Sequence, residues 1–372
     1  MHSHTPDEKE AMRATTRGLS PRISRTVGPQ APLIAAGLLA MLGLTIGAGP
    51  PAQAAPAEPS ARPFAPGSFV NEELRQNAPI DARSAAYVQE FRRQVRAYGP
   101  WINVGKYSTP VYVVKKDQPT VRVTPGTAYQ PLHEGWREVP LPRKARAAAG
   151  TDKHLVVWQP STDTMWEFWL LRRNSGGWHA RWGGRMTGVS KNPGYFNLVD
   201  PPSAGDRGSG ATASGIPLLA GLIRGSDLGP GGIRHGLALA LPETRPNEWI
   251  WPAHRTDGFY WTKGVAQIPE GARFRLDPDL DIEALDISPT AKLFARALQR
   301  YGMVVRDKSG AVTFYAEDPR TGGGRMERVL FGNGTPNQSP SNYLREDYGK
   351  FPWHRLQLLK MGPSSDWSVY RP

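Results

Sequence analysis

The chain has 372 residues, a formal net charge of +13, 40 glycines, 36 prolines and no cysteine. That length holds one large domain or two ordinary ones. The absent thiols exclude disulfides, thiolate catalysis and cysteine-ligated zinc. The positive charge points to anionic material such as acidic polysaccharide, cell-wall polymer or a membrane surface, and no nucleic-acid-binding motif accompanies it.

The first 54 residues read as a secretory signal peptide. Arg13, Arg17, Arg22 and Arg25 precede an apolar run from Ala31 to Ala48, and Ala52-Gln53-Ala54 is a small-x-small cleavage site. Cleavage would release a secreted protein with no further membrane span, whereas retention would leave a single N-terminal anchor. Residues 55–78 are rich in Pro and Ala and read as a disordered linker. From residue 79 to 372 a single large domain is expected.

Within it, Val88, Phe91, Val95 and Tyr98 recur at helical spacing, and Gly99-Pro100 ends that helix. TPVYVVKK and PTVRVT read as strands. Residues 154–182 read as three antiparallel strands, HLVVWQ, TMWEFWLLRR and WHARW, joined by PSTD and NSGG turns. Four-residue turns pair Val156 with Glu167, His154 with Trp169, Trp169 with Trp182 and Leu171 with Ala180. Alternation then puts Leu155, Val157, Trp166, Phe168 and Leu170 on one face, a core face. His154, Val156, Trp158, Glu167, Trp169, Trp178 and Trp182 take the other. That second face is either a second core layer or a surface on which sugars stack.

The stretch 183–215, rich in Gly, Pro and Asn, is long enough to form the rim of a groove. LLAGLI is a buried strand or short helix, IRHGLALAL an alternating strand and ARFRLDPDL another. Ser288 and Pro289 open a second helix that Gly302 closes. MVVRDKSGAVTFYAED reads as a hairpin, and WHRLQLLKM ends the domain. The sum is a mainly β protein, a β-sandwich of jelly-roll or lectin/glucanase type, with an N-terminal and a later α-helix packed on it.

At HLVVWQP, GATASGIPLLAGLIR, IRHGLALALP, WPA and ALQRYGMVVRDKSG the chain resembles a family of exported proteins of actinobacteria and other soil bacteria, some joined to carbohydrate-binding or Ig-like modules. The resemblance covers nearly everything after the leader. It implies a lectin/glucanase-like β-sandwich and carries over no site residues, because no activity is established for the family.

The candidate sites come from residue chemistry. Glu167 between Trp166 and Phe168 is a carboxylate among aromatics, the setting of a general acid or of an acceptor for sugar hydroxyls. His154 shares its face. His254, Arg255 and Asp257 sit on a loop after Trp251-Pro252, where Arg255 can hold an acidic sugar and His254 or Asp257 can move a proton. Trp158, Trp169, Trp178 and Trp182 are the stacking candidates. Asp279, Asp281 and Glu283 resemble a glucanase carboxylate strand or a calcium loop, but the Leu-Asp-Pro before them favours turn and cap acids. The histidines show no zinc spacing, so neither metal nor cofactor is expected. Three functions remain: an exported protein binding an anionic polysaccharide or cell-wall glycan, a polysaccharide lyase or glycoside hydrolase on the same fold, and a structural envelope protein.

Overall fold

The computed structural model describes residues 62–196, 207–259, 265–323 and 349–361. The expected signal peptide and the first part of the expected linker lie outside the described residues. In chain order the described elements are α1 (Ser84–Tyr98), β1 (Pro100–Asn103), β2 (Val111–Val113), β3 (Val123–Pro125), α2 (Gln130–Gly135), β4 (Leu155–Gln159), β5 (Thr164–Trp169), β6 (Arg172–Asn174), β7 (Gly177–Ala180), β8 (Trp182–Thr187), β9 (Arg207–Gly208), β10 (Leu237–Leu241), β11 (Thr244–Trp249), β12 (Ile268–Glu270), β13 (Arg273–Leu276), α3 (Pro289–Arg300), β14 (Met303–Lys308), β15 (Val312–Tyr315), α4 (Pro319–Gly322) and β16 (Leu356–Leu358).

Two larger sheets carry the molecule. One has six strands in the order β1-β15-β10-β14-β13-β16, and the other five in the order β2-β4-β5-β8-β9. Between them lies a core built from Val156, Trp158, Met165 and Met186 of the five-stranded sheet and Ala238, Ala240 and Val304 of the six-stranded one. The outer face of the six-stranded sheet packs Leu237, Leu239, Phe274 and Phe314 against Phe91 of α1 and Phe294 of α3. The outer face of the five-stranded sheet packs Leu155, Val157, Trp166 and Phe168 against Trp136, Val139 and Leu141. The protein is thus mainly β, a sandwich of two sheets with helices on one side. Among the described residues no helix is long and apolar enough to cross a membrane.

The local rules hold where they rest on periodicity. Helix α3 opens with the Ser288 side chain accepting from the Ala291 N–H and Pro289 in its first turn. The central meander has the expected register, with Val156 opposite Glu167 and Trp169 opposite Trp182.

Three expectations are corrected. Residues 62–78 are not a disordered linker: Phe64, Phe69, Val70 and Ala78 are buried in the inter-sheet core, and Asn71 Nδ2 donates to the carbonyls of Pro63 and Ala65. β14 and β15 do not pair as a hairpin, because β10 lies between them, parallel to β14 and antiparallel to β15. The apolar run 216–223 is neither strand nor helix but buried irregular chain that joins β15 through a bridge from Ile223 to Ala316.

The helix-side core carries much of the stability. Phe314 is buried and meets the Phe294 ring edge-on at 5.8 Å. Phe314→Ala should therefore lower the unfolding free energy by about 3–5 kcal/mol, read from the urea midpoint at unchanged slope. A loss under 1 kcal/mol would show that the helix and sheet layers do not depend on this contact.

Candidate functional site

The Glu167 side chain points into the inter-sheet layer, as its place opposite Val156 requires, and it is completely buried. Its Oε1 accepts the Ala211 N–H at 2.6 Å and its Oε2 the Leu218 N–H at 2.8 Å. Burial pushes the carboxyl up to about 7, against the downward pull of those two N–H groups and of Arg306 and Arg255. One strand glutamate thus ties both ends of the segment 211–218 into the interior. Gly210 is part of the arrangement: its φ is +81°, and a Cβ there would stand 3.0 Å from Glu167 Oε1.

The same segment is held from the other side. Arg255 donates to Ser209 Oγ at 2.7 Å and to the carbonyls of Gly210 and Thr212. The His254 N–H donates to the Ser214 carbonyl, and the His254 ring lies where a Cβ on Gly215 would collide with it. Arg306 Nη1 donates to the Leu218 carbonyl at 2.9 Å.

Arg306 arrives there through a bulge. Leu239 pairs with Val305 but Ala240 pairs with Asp307, which leaves Arg306 as the extra residue of β14. Asp307 is therefore opposite Ala240, a residue of the inter-sheet core, and two consecutive charged residues serve that layer. Arg306 is wholly buried with its Cζ 4.0 Å from the centroid of the Tyr315 ring. Burial, then the charge of Asp257, push the Asp307 carboxyl up to about 7. Burial and the Asp307 charge raise the Tyr315 hydroxyl, so it stays protonated. Glu270, also buried, is raised by burial first and then by its hydrogen bond to Asp257.

Beside this cluster lies a cavity of about 990 Å³ between β1 and its following loop, the turn from β14 to β15, and the chain leading into β4. Trp101, Tyr107, Asp152, His154, Lys308 and Tyr315 are among its lining residues. His154 is 8 % exposed, and no hydrogen-bond partner reaches its Nε2. Burial holds its pKa below the usual imidazole value; Asp152 opposes that shift and Arg306 adds to it. The ring is neutral at pH 7.

The residues expected from the sequence are distributed differently from a tryptophan-lined groove. Trp158 is buried between the sheets beneath Arg224. Trp178 is buried in the outer core beneath Arg173, and Trp182 packs on that same core, with Tyr129 at 5.7 Å. Trp169 packs, half-buried, on the inter-sheet core that contains Trp158. The break comes at Leu170, whose φ of +55° ends β5, so that β6 and β7 form a separate sheet with β3. A common sugar-stacking face of four indoles is therefore not present. Glu167 is a clasp inside the protein rather than the floor of an open groove, and Arg255 spends its guanidinium on loop carbonyls. The His254 ring is largely buried and pushed down to about 4, first by burial and then by Arg255. Asp257 is half exposed, 3.8 Å from Lys308 Nζ. Of the expected catalytic set, His154 is the one that lines the cavity. Asp277 and Asp281 are turn acids, Asp277 Oδ1 accepting the Asp279 N–H and Asp281 Oδ1 the Glu283 N–H, while Asp279 Oδ1 accepts from the Gln76 side chain.

Arg306, Asp307, Tyr315 and Glu270 were missed. The available signal was Arg306-Asp307 closing an otherwise apolar strand, where alternation sends only one of the two inward. No family model, curated protein or solved structure matches this chain.

Two outcomes follow. Glu167→Ala leaves two buried N–H groups without an acceptor and should lower stability by about 2–4 kcal/mol, read by urea unfolding; a change near zero would show that the segment does not depend on the clasp. A carboxyl whose folded pKa is raised lends stability that is full below its unfolded value and is lost as pH rises through the folded one. Asp307 and Glu167, both near 7, should therefore make the melting temperature fall as pH rises from about 4 to about 7 and level off above that. Asp307→Asn should flatten part of that fall, and an unchanged slope would remove Asp307 as a source.

Proposed function

We propose that the chain is an exported enzyme acting by acid–base chemistry on a polysaccharide or cell-wall glycan, with the cavity beside β1 as its site. The observation that carries this reading is the cavity floor: a neutral His154 with a free Nε2 beside a protonated Tyr315. In this reading His154 accepts a proton from the sugar and Tyr315 gives one to the departing glycosidic oxygen, while Asp152 orients the pair. The volume suits a small-ligand site. Around it Trp101 and Tyr107 offer ring faces, and Lys106 and Lys308 offer positive charge. The order of basic, apolar and small residues before residue 55, read as a signal peptide, supports export.

Glycan binding without turnover is the second reading, favoured by the same aromatic and basic rim. The two separate in one experiment. Protein starting at Ala55 is incubated with neutral and acidic polysaccharides, and new reducing ends and unsaturated products are followed. Turnover on one polymer that falls about 100-fold or more in His154→Ala, with folding intact, is the expected result. Retarded migration in a polymer gel, weakened by Trp101→Ala and without turnover, would favour binding. Neither effect on any polymer would end the glycan reading.

A further inference from the structure

The positive charge of the chain is not spread evenly. The loop of residues 142–153 carries Arg143, Lys144, Arg146 and Lys153 against one acid, Asp152, and β6 beside it adds Arg172 and Arg173. All six basic side chains are exposed. Among the described residues no ion pair includes any of them.

The fold holds these charges together. Arg173 Nη1 donates to the Arg143 carbonyl at 3.5 Å, and the N–H groups of Leu170 and Leu171, just before β6, donate to the carbonyls of Asp152 and Lys153. The Arg146 N–H donates to the Tyr112 hydroxyl on β2 at 2.8 Å. The inner end of the loop is tied to the cavity wall. Arg320 Nη2 donates to the Ala147 carbonyl at 3.1 Å, and the Gly150 N–H donates to the Lys106 carbonyl. Lys106, Ala149, Asp152 and Arg320 line the cavity. The basic band therefore begins at β6 and ends at the cavity.

Like charges gathered without counter-charges repel one another. Guarding a strand edge explains Arg172 and Arg173, because β6 is the end strand of its sheet. It does not explain the loop, which pairs with no strand. A ligand that brings the missing negative charges does.

We propose that this band is a docking track for an acidic polysaccharide, whose carboxylates meet the six cations while the chain continues into the cavity. Four of the six are arginines, whose planar forks suit carboxylates. No large apolar side chain is exposed in the loop or on β6, so nothing there would enter a membrane. What happens at the inner end rests on the reading of the cavity as a glycan site, whereas binding along the band is measured separately.

The probes are polygalacturonate, its fully methyl-esterified form and a DNA duplex, each titrated by calorimetry at one fixed salt concentration. The protein should bind the acid about tenfold or more tighter than the ester. Changing Arg143, Arg146 and Arg172 together to Gln should bring the acid down to the ester. The same change at Arg83, Arg92 and Arg96, which are exposed on or just before α1, removes equal charge elsewhere and should leave binding within about twofold. Should the first triple variant lose its circular-dichroism spectrum, Arg172→Gln alone takes its place and should weaken the acid alone. Equal losses in the two triple variants would reduce the effect to net charge and overturn the track, with the glycan reading of the cavity intact. Equal binding of acid and ester would do the same. Binding of neither would overturn both readings. A DNA duplex bound as tightly as the acid, and lost in the same variant, would overturn the polysaccharide as occupant.

Discussion

The inter-sheet layer depends on a carboxylate that never meets water. Glu167 holds the N–H groups of Ala211 and Leu218, and through them a stretch of chain that has no regular structure of its own. Irregular chain is normally kept at the surface because its backbone groups need partners. Here the partners are charged side chains: Glu167 for the N–H groups, and Arg255 and Arg306 for the carbonyls of Gly210, Thr212 and Leu218. The segment could not be buried with an apolar residue at position 167, however well that residue packed.

Placing these charges together sets the electrostatics of everything nearby. Burial raises both carboxyls to about 7; at Glu167 the Ala211 and Leu218 N–H groups, then Arg306 and Arg255, oppose it, and at Asp307 the Lys308 N–H and then Arg306 do. Burial first, and then Arg306 and Arg255, keep His154 and His254 neutral. The layer therefore contains two carboxyls, Glu167 and Asp307, near neutral pH, with the neutral imidazole of His154 beside them. A structural account explains Glu167, whose two oxygens both have hydrogen bonds, and Arg255 through its two terminal nitrogens. It leaves His154, which lines the cavity, with an unmet ring nitrogen, and that is the residue from which function is argued.

The sheets were legible in the sequence wherever alternation or turn length encodes them. The meander register, the two long helices and the buried LALAL strand came from patterns of two and of three to four residues. What periodicity does not encode is which strands become neighbours. β10 separates β14 from β15 although only a three-residue turn divides them in the chain, and five of the pairings are parallel. Single backbone exceptions had the larger consequences. Leu170 at positive φ splits the tryptophans between two cores, and the extra residue at Arg306 adds a second charge to the interior. Neither leaves a mark in composition.

The misreading of the glycine- and serine-rich segment has the same origin. Polar, flexible sequence is surface sequence only when nothing inside can satisfy its backbone. In this chain the satisfying groups lie far away: Glu167 on β5, Arg255 in the loop after β11, Arg306 on the bulge of β14. Each was visible as an isolated charge within or beside an apolar run. Such charges have two origins, a partner elsewhere in the chain or a ligand, and sequence does not separate them. Hydrogen-bond satisfaction does: both oxygens of Glu167 find their partners in the fold, whereas His154 Nε2, at the cavity, has none among the described residues.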